Sequence, residues 1–189
     1  MYIKHPQPFH DQLDHFVNAL FQTTSSHLIA LVRLFWIIAK VHPEAITPAQ
    51  VDRSFASIKY HTATNNRINL IFEVLGVVTN TRPHLFHNYH ELLVHFVNEH
   101  KNISAIGCLQ HYFVAATIIG GEQAANECLT ILIDCLQRDI DTANDIRPQI
   151  LYTCQLIGLL DKKALECKRT DLSMFTSYTE CRMLLDFID

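Results

Sequence analysis

Four strongly apolar, helix-like segments recur along the chain, and each ends near a small residue. The small residues are spaced 37, 44 and 38 positions apart. Each apolar segment follows a more amphipathic one. A regular interval of about 40 residues is typical of helical hairpins that stack side by side. The four segments are FWIIAKV, ending near Ala39, FEVLGVV near Gly76, AATIIGG near Gly120 and CQLIGLL near Gly158.

Helical periodicity dominates the remainder of the chain as well. Only five glycines occur, and no stretch alternates apolar and polar residues as a half-buried strand does. Thr47-Pro48 places a capping residue before a first-turn proline, and His42-Pro43 predicts a helix end. The sequence therefore predicts an all-α fold of eight or nine helices, over residues 8–21, 26–41, 48–61, 65–80, 84–100, 103–119, 122–140, 146–160 and 171–188.

The paired segments resemble divergent armadillo/HEAT-type repeats. RINLIFEVLGVV and IRPQILYTCQLIGLL carry the likeness, which covers most of the chain. The length of 189 residues predicts a single domain, 1–189. The resemblance implies that antiparallel hairpins stack into an α-α superhelix within it. An irregular multi-helix bundle is the alternative. Because the chain lacks a regular repeat consensus, no functional residue is carried over. The expected hairpins are 8–41, 48–80, 84–119 and 122–160.

The last predicted helix, 171–188, carries an apolar stripe with 4-3-4-3 spacing. We expect it to cap the end of the stack, because the exposed end of a helical repeat array must be covered. The alternative is that the same stripe forms a homodimer or partner surface. Its residues are Met174, Tyr178, Cys181, Leu185 and Ile188.

Composition excludes several classes of protein. The net charge is −4 and no basic run exceeds two residues, which argues against a nucleic-acid surface. The strongest apolar run, 28–41, is short for a membrane span and contains Arg33. Six widely spaced cysteines without a CxxC pair indicate buried, reduced thiols, and residues 1–12 lack the apolar core of a signal peptide. We expect a cytoplasmic protein.

The stretch HELLVHF, 90–96, differs by one residue from the zinc-protease motif H-E-x-x-H. His90 and His95 are five residues apart, about 140° around a regular helix, so they do not converge on one ion. His87, Glu91 and His95 instead share one helical stripe. We interpret that stripe as a solvated face, with metal binding by its members as the weaker alternative.

Catalytic signatures are missing, since the chain has no GxGxxG, GxxxxGK[ST] or GxSxG. The leading hypothesis is a non-enzymatic scaffold that binds a protein or peptide without a cofactor. The alternatives are a compact adaptor or chaperone-like subunit, and an unrecognised enzyme or metal protein using the histidine stripe. One polar residue on each hairpin should face the partner, and the candidates are Arg33, Arg67, His111, Arg147 and Gln155.

Overall fold

The computed structural model describes residues 12–15, 25–59, 66–138 and 145–189, and no strand occurs among them. Of the predicted helix 8–21, only positions 12–15 lie within the described residues. Short 3₁₀ segments at Pro43–Ala45, Pro83–Tyr89 and Ser173–Phe175 connect some of the helices. The helices are α1 (Ser25–Val41), α2 (Pro48–Lys59), α3 (Asn66–Thr81), α4 (His90–His100), α5 (Ile103–Arg138), α6 (Arg147–Leu160), α7 (Lys162–Glu166), α8 (Arg169–Leu172) and α9 (Thr179–Ile188).

Prolines end two of the apolar helices at the expected places. His42 precedes Pro43 with φ −135° and ψ 63°, and Arg82 precedes Pro83 with φ −139° and ψ 62°. Neither residue is helical, because a following proline disfavours the α conformation. At the start of α2, the Thr47 amide donates to Gln50 Oε1 at 2.8 Å. The predicted boundaries of α1, α2, α3 and α6 agree with the structure to within two residues.

Alternate apolar helices are neighbours in space. Helix α1 contacts α3, and α3 contacts α5; helix α6, which directly follows α5 in sequence, also packs against α5. The amphipathic helix α4 and the 3₁₀ segment Pro83–Tyr89 also pack against α5. Together with α2, which packs against α3, these helices bury a hydrophobic core whose largest fully buried side chains include Phe35, Phe55, Phe72, Phe86 and Phe113.

Helix α5 joins the predicted helices 103–119 and 122–140 through a break at Gly121. This glycine has φ 59° and ψ −144°, a conformation that is essentially restricted to glycine. A sharp change of backbone direction therefore separates residues 103–120 from residues 122–138.

Among the described residues, α5 is also the one helix long and apolar enough to cross a membrane by length and composition. Helices that lie inside a protein core pass the same test. The break at Gly121 interrupts this helix, and both of its parts carry buried side chains. The expectation of a chain without a membrane span remains a prediction.

The prediction of one continuous helix over 84–100 is wrong in its first part. Residues Pro83–Tyr89 form a 3₁₀ helix, in which side chains three positions apart eclipse each other. That geometry directs both Phe86 and Tyr89 onto Phe55 of α2. Phe86 meets it edge to face at 5.6 Å between ring centroids, and Tyr89 stacks on it at 4.1 Å. A contact with a residue some 30 positions earlier therefore selects the tighter winding.

The prediction of one helix over 171–188 is also wrong. Helix α8 ends at Leu172 and a 3₁₀ turn over Ser173–Phe175 follows it. Tyr178 is then extended (φ −86°, ψ 134°), and α9 begins at Thr179. The Arg147 guanidinium lies 4.8 Å from the Tyr178 ring centroid, which holds the extended residue against α6. Met174 of the predicted stripe is 71% exposed, whereas Cys181 and Ile188 are buried within the chain.

All six cysteines are free thiols, and five of them are buried. The exception to the prediction is Cys167, which is exposed. Burial raises the pKa of the Cys108 and Cys128 thiols to about 12, so both remain protonated at neutral pH.

Candidate binding groove

Two adjoining clefts form a groove on the surface of α1, α3 and α5. The first, of about 530 Å³, lies between α1 and α3 and is lined by Val32, Arg33, Trp36, Ile37, Leu70, Glu73 and Val74. The second, of about 400 Å³, extends from α1 over α3 to α5. Its lining consists of Trp36, Lys40, Phe72, Glu73, Gly76, Val77, Asn80, Thr81, Ser104, Gly107 and His111.

Trp36 and Glu73 line both clefts and therefore stand where the two meet. Trp36 is the chain's only tryptophan and is 39% exposed. Glu73 is exposed and makes no ion pair with any residue that the structure describes. At the centre of the groove, an indole thus faces solvent beside a carboxylate that has no ion-pair partner among the described residues.

Helix α1 contributes the cationic wall. Arg33, Trp36 and Lys40 are spaced 3 and 4 residues apart, so they share one face of the helix. The Lys40 ammonium lies 4.6 Å from the Trp36 ring centroid, a cation–π contact that holds both side chains in place. Arg33 is exposed and makes no ion pair within the described part of the chain.

Two glycines in the middle of helices leave space in the second cleft. A methyl group added at Gly107 would meet no atom within 4 Å, and one at Gly76 would meet only Cys108 Sγ, at 3.8 Å. Neither glycine has a positive φ. Neither backbone strain nor tight packing therefore requires glycine at these two positions.

The walls of α3 and α5 are joined by a pair of asparagines. Asn102 precedes α5, and its Oδ1 accepts a hydrogen bond from the Ala105 amide at 3.0 Å. Its Nδ2 donates to Asn69 Oδ1 of α3 at 2.8 Å. One buried side chain thus caps α5 and also ties that helix to α3, which sets the separation of the two groove walls.

His111 forms the α5 side of the second cleft. It is half-buried, and burial lowers the pKa of its imidazole below the ordinary value of 6.5. The ring is therefore neutral at pH 7, where it offers one donor and one acceptor to a bound group.

The residues predicted to bind a partner do not all lie together. Arg33 and His111 line the groove, whereas the side chain of Arg67 lies outside the described residues. Arg147 donates from Nε to Asp145 Oδ1 at 2.9 Å and covers Tyr178, so it anchors the C-terminal segment. Gln155 is half-buried on α6, outside the two clefts.

The residues weakly predicted to bind metal are not on one regular helix. His87 belongs to the 3₁₀ segment, where its Nδ1 lies 3.0 Å from the Tyr112 hydroxyl. Glu91 and His95 are exposed on α4, and the His95 ring instead contacts His100 at 5.6 Å between centroids. Within the described ranges, no three His, Cys, Asp or Glu side chains are grouped as a metal site would require.

Sequence reasoning identified Arg33 and His111 but missed Trp36, Glu73 and Gly107. One available signal was Glu73, the only charged residue in the apolar run NLIFEVLGVV. Gly107 offered another, since a glycine inside a predicted helix lowers its stability unless packing or function requires it. Trp36 offered none, because a tryptophan in an apolar helix looks like a core residue.

In comparisons with known proteins, no family model, no curated protein and no solved structure matches this chain. The groove must therefore be interpreted from its own residues.

Proposed function

We propose that the chain is a non-enzymatic interaction module whose helical hairpins stack as repeats and whose groove binds an extended segment of a protein partner. One observation carries the proposal: two clefts adjoin on the exposed surface of α1, α3 and α5, and Trp36 and Glu73 stand at their junction.

The dimensions and chemistry of the clefts fit side-chain recognition. Volumes of about 530 and 400 Å³ fall within the range of ligand pockets, roughly 300–1,000 Å³. The lining is mainly apolar, with a few charged or polar groups that would orient a bound segment. An extended peptide has side chains of the size these clefts accept, with backbone groups available for Asn80, Ser104 and His111.

The presence of two glycines inside helices, at a cost in helix stability, supports the same proposal. A glycine inside a helix is less stable than alanine by roughly 0.5–1 kcal/mol. Gly76 and Gly107 both line the second cleft, and a methyl group would fit at either position. A cleft that must admit a foreign side chain explains why the less stable residue stands at both positions.

Contacts between alternate helices support the repeat arrangement. Helices α1, α3 and α5 follow one another as neighbours, with α2, the Pro83–Tyr89 turn and α4 lying between them in sequence, and α6 packs against α5. In a stack of hairpins, one helix of each hairpin would lie on a shared surface, as in the helical repeats that bind extended partners.

Filling the cleft from within tests this function. Gly107→Leu adds a side chain at a residue that lines the second cleft and at which a methyl group would meet no atom within 4 Å. We expect partners recovered with the parent chain by affinity purification, and quantified by mass spectrometry, to be lost with this variant. Recovery of the same partners at the same abundance would contradict the groove function.

Gln137→Leu is the matched control. It adds the same side chain at an exposed position of α5, away from the lining of both clefts. We expect it to retain the partners, which separates loss of the cleft from a general effect of added apolar surface.

A second surface favours the adaptor alternative. Ile118 and Ile119 end the first part of α5, and Leu159 and Leu160 end α6; we call these four residues the apolar edge. All four are exposed, Ile119 by 82%. Lys163 Nζ lies 3.2 Å from Glu122 Oε1, which brings the two helix ends together. Aliphatic side chains exposed in this way are typical of an interface between protein chains.

Sedimentation tests whether the apolar edge joins two copies of the chain. If the apolar edge joins two copies of the chain, the weight-average mass will rise with concentration, and Ile119→Asp will abolish the rise. A monomer at all concentrations, with and without the substitution, would exclude self-association through this edge.

A further inference from the structure

We propose that the partner segment carries an acidic side chain beside a large apolar one, with the acid paired to Arg33 and the apolar group in the cleft over Gly76 and Gly107. This inference rests on the proposed function, since it names the chemistry of the segment that the groove would bind.

The apolar position follows from the floor of the second cleft. Phe72, Gly76 and Val77 of α3 and Gly107 of α5 form a surface without charge, and the glycines leave room above it. Because the cleft holds about 400 Å³, it has space for a leucine, methionine or aromatic side chain. Burying such a group would supply most of the attraction.

The acidic position follows from the wall of α1. Arg33 is exposed at the first cleft and makes no ion pair with a described residue, while Lys40 lies over Trp36 at the second. Among the lining residues that the structure describes, these two cations face a single carboxylate, Glu73. His111 is neutral at pH 7. The groove is thus positive, although the chain carries a net charge of −4.

Arg33 is the better of the two cations for pairing with a carboxylate. Lys40 already contacts the indole of Trp36, whereas the planar guanidinium of Arg33 presents a fork of donors that matches a carboxylate in two hydrogen bonds.

Glu73 determines the orientation of the segment. A carboxylate of the partner near Glu73 would meet a like charge, whereas one near Arg33 would be paired. The acidic side chain must therefore face α1, away from α3. Repulsion of this kind gives specificity in addition to the attraction at Arg33.

Selection from a phage-displayed library of random 12-residue peptides against the full chain tests the inference. We expect the selected peptides to be enriched in Asp or Glu close to a large apolar residue. Their affinity, measured by isothermal titration, should fall about tenfold or more with Arg33→Glu, and should fall by less with Arg33→Lys, which keeps the positive charge but loses the two-bond fork. Glu73→Gln should increase the affinity, because it removes the like charge that faces the bound carboxylate, and an unchanged or lower affinity would contradict the orienting role of Glu73.

The outcomes separate the two proposals. The selected peptides could lose binding with Gly107→Leu and yet be basic, or bind Arg33→Glu as tightly as they bind the parent chain. Either result would contradict the acidic partner chemistry but would agree with the groove function. A library that yields no peptide sensitive to Gly107→Leu contradicts the groove function, and the partner chemistry with it. Equal thermal midpoints of the Arg33 and Glu73 variants, both substituted at exposed positions, would exclude misfolding as the cause.

Discussion

Gly107 and Gly158 are both glycines inside helices, but one faces open space and the other faces a close neighbour. Substituting each of them therefore tests the packing at single positions. A methyl group at Gly107 meets open space, whereas one at Gly158 would lie 2.3 Å from Leu165 Cδ2 and 3.2 Å from its Cγ. Helix α6 therefore needs glycine where α7 crosses it, and α5 does not need glycine for its own packing.

We predict opposite effects of alanine at these two sites. Gly107→Ala should raise the free energy of unfolding by about 0.4–1 kcal/mol, because it restricts the unfolded chain at no steric cost. Gly158→Ala should lower it by about 1–3 kcal/mol through overpacking against Leu165. Urea denaturation followed by circular dichroism measures both, and equal changes would contradict the packing described for the two helices.

His111 makes part of the stability depend on pH. Burial lowers its pKa in the folded chain, so below about pH 6.5 the unfolded chain takes up a proton that the folded chain resists. The stability that depends on a neutral His111 is therefore fully present above about pH 6.5 and is lost as the pH falls below that value.

We therefore predict that His111→Gln reduces the loss of stability between about pH 7 and pH 5. The measurement is the urea unfolding free energy of parent and variant across this range. Because the two chains are identical at every other position, the difference between their profiles isolates His111. Parallel pH profiles would show that the His111 pKa is the same in the folded and unfolded states.

At the scale of the helices, the sequence predicted helix boundaries well where a proline or the apolar periodicity determines the boundary. Prolines at 43, 48 and 83 mark helix ends and starts in the structure as in the sequence. The errors arise where distant contacts decide. Phe55 selects 3₁₀ winding for Phe86 and Tyr89, and Arg147 holds Tyr178 extended. No pattern within 84–100 or 171–188 contains those partners.

The groove was only partly predictable, because its lining also depends on contacts between residues that are distant in sequence. Arg33 was a visible candidate because a lone cation in an apolar helix must reach solvent. Whether Trp36 is buried depends on how α3 packs beside α1, and this information is absent from the spacing of residues on α1 alone. The same holds for the glycines. Gly107 lines a cleft and Gly158 lies at a tight helix crossing, and this difference depends on the neighbouring helix in each case.

The break in α5 yields a prediction at the element scale. At Gly121, φ 59° and ψ −144° exclude a side chain without strain. Gly121→Ala should lower the free energy of unfolding by about 1–3 kcal/mol. Gly76→Ala is the control, because that position lies inside α3 and has only an ordinary contact at 3.8 Å. Gly76→Ala should raise the free energy of unfolding slightly, as alanine does inside a helix, and an equal rise with Gly121→Ala would mean that the backbone at Gly121 is helical.

At the scale of the whole molecule, the neighbouring apolar helices produce two surfaces of different character. The groove is partly apolar and charged, with Trp36 at its centre, whereas the apolar edge is aliphatic and lies at the ends of α5 and α6. A groove suits a segment of a partner, and an edge suits a broad contact between folded chains. The two surfaces are therefore separable by substitution.

Trp36 provides the most direct test of the groove, because it is the chain's only tryptophan and lines both clefts. The measurement is its fluorescence emission during titration with a tryptophan-free peptide selected against the parent chain. We predict a saturable blue shift as the bound peptide removes water from the indole, and loss of that shift with Gly107→Leu but not with Gln137→Leu. If isothermal titration detects binding while the emission of Trp36 stays unchanged, the partner binds elsewhere and the groove is not the binding site.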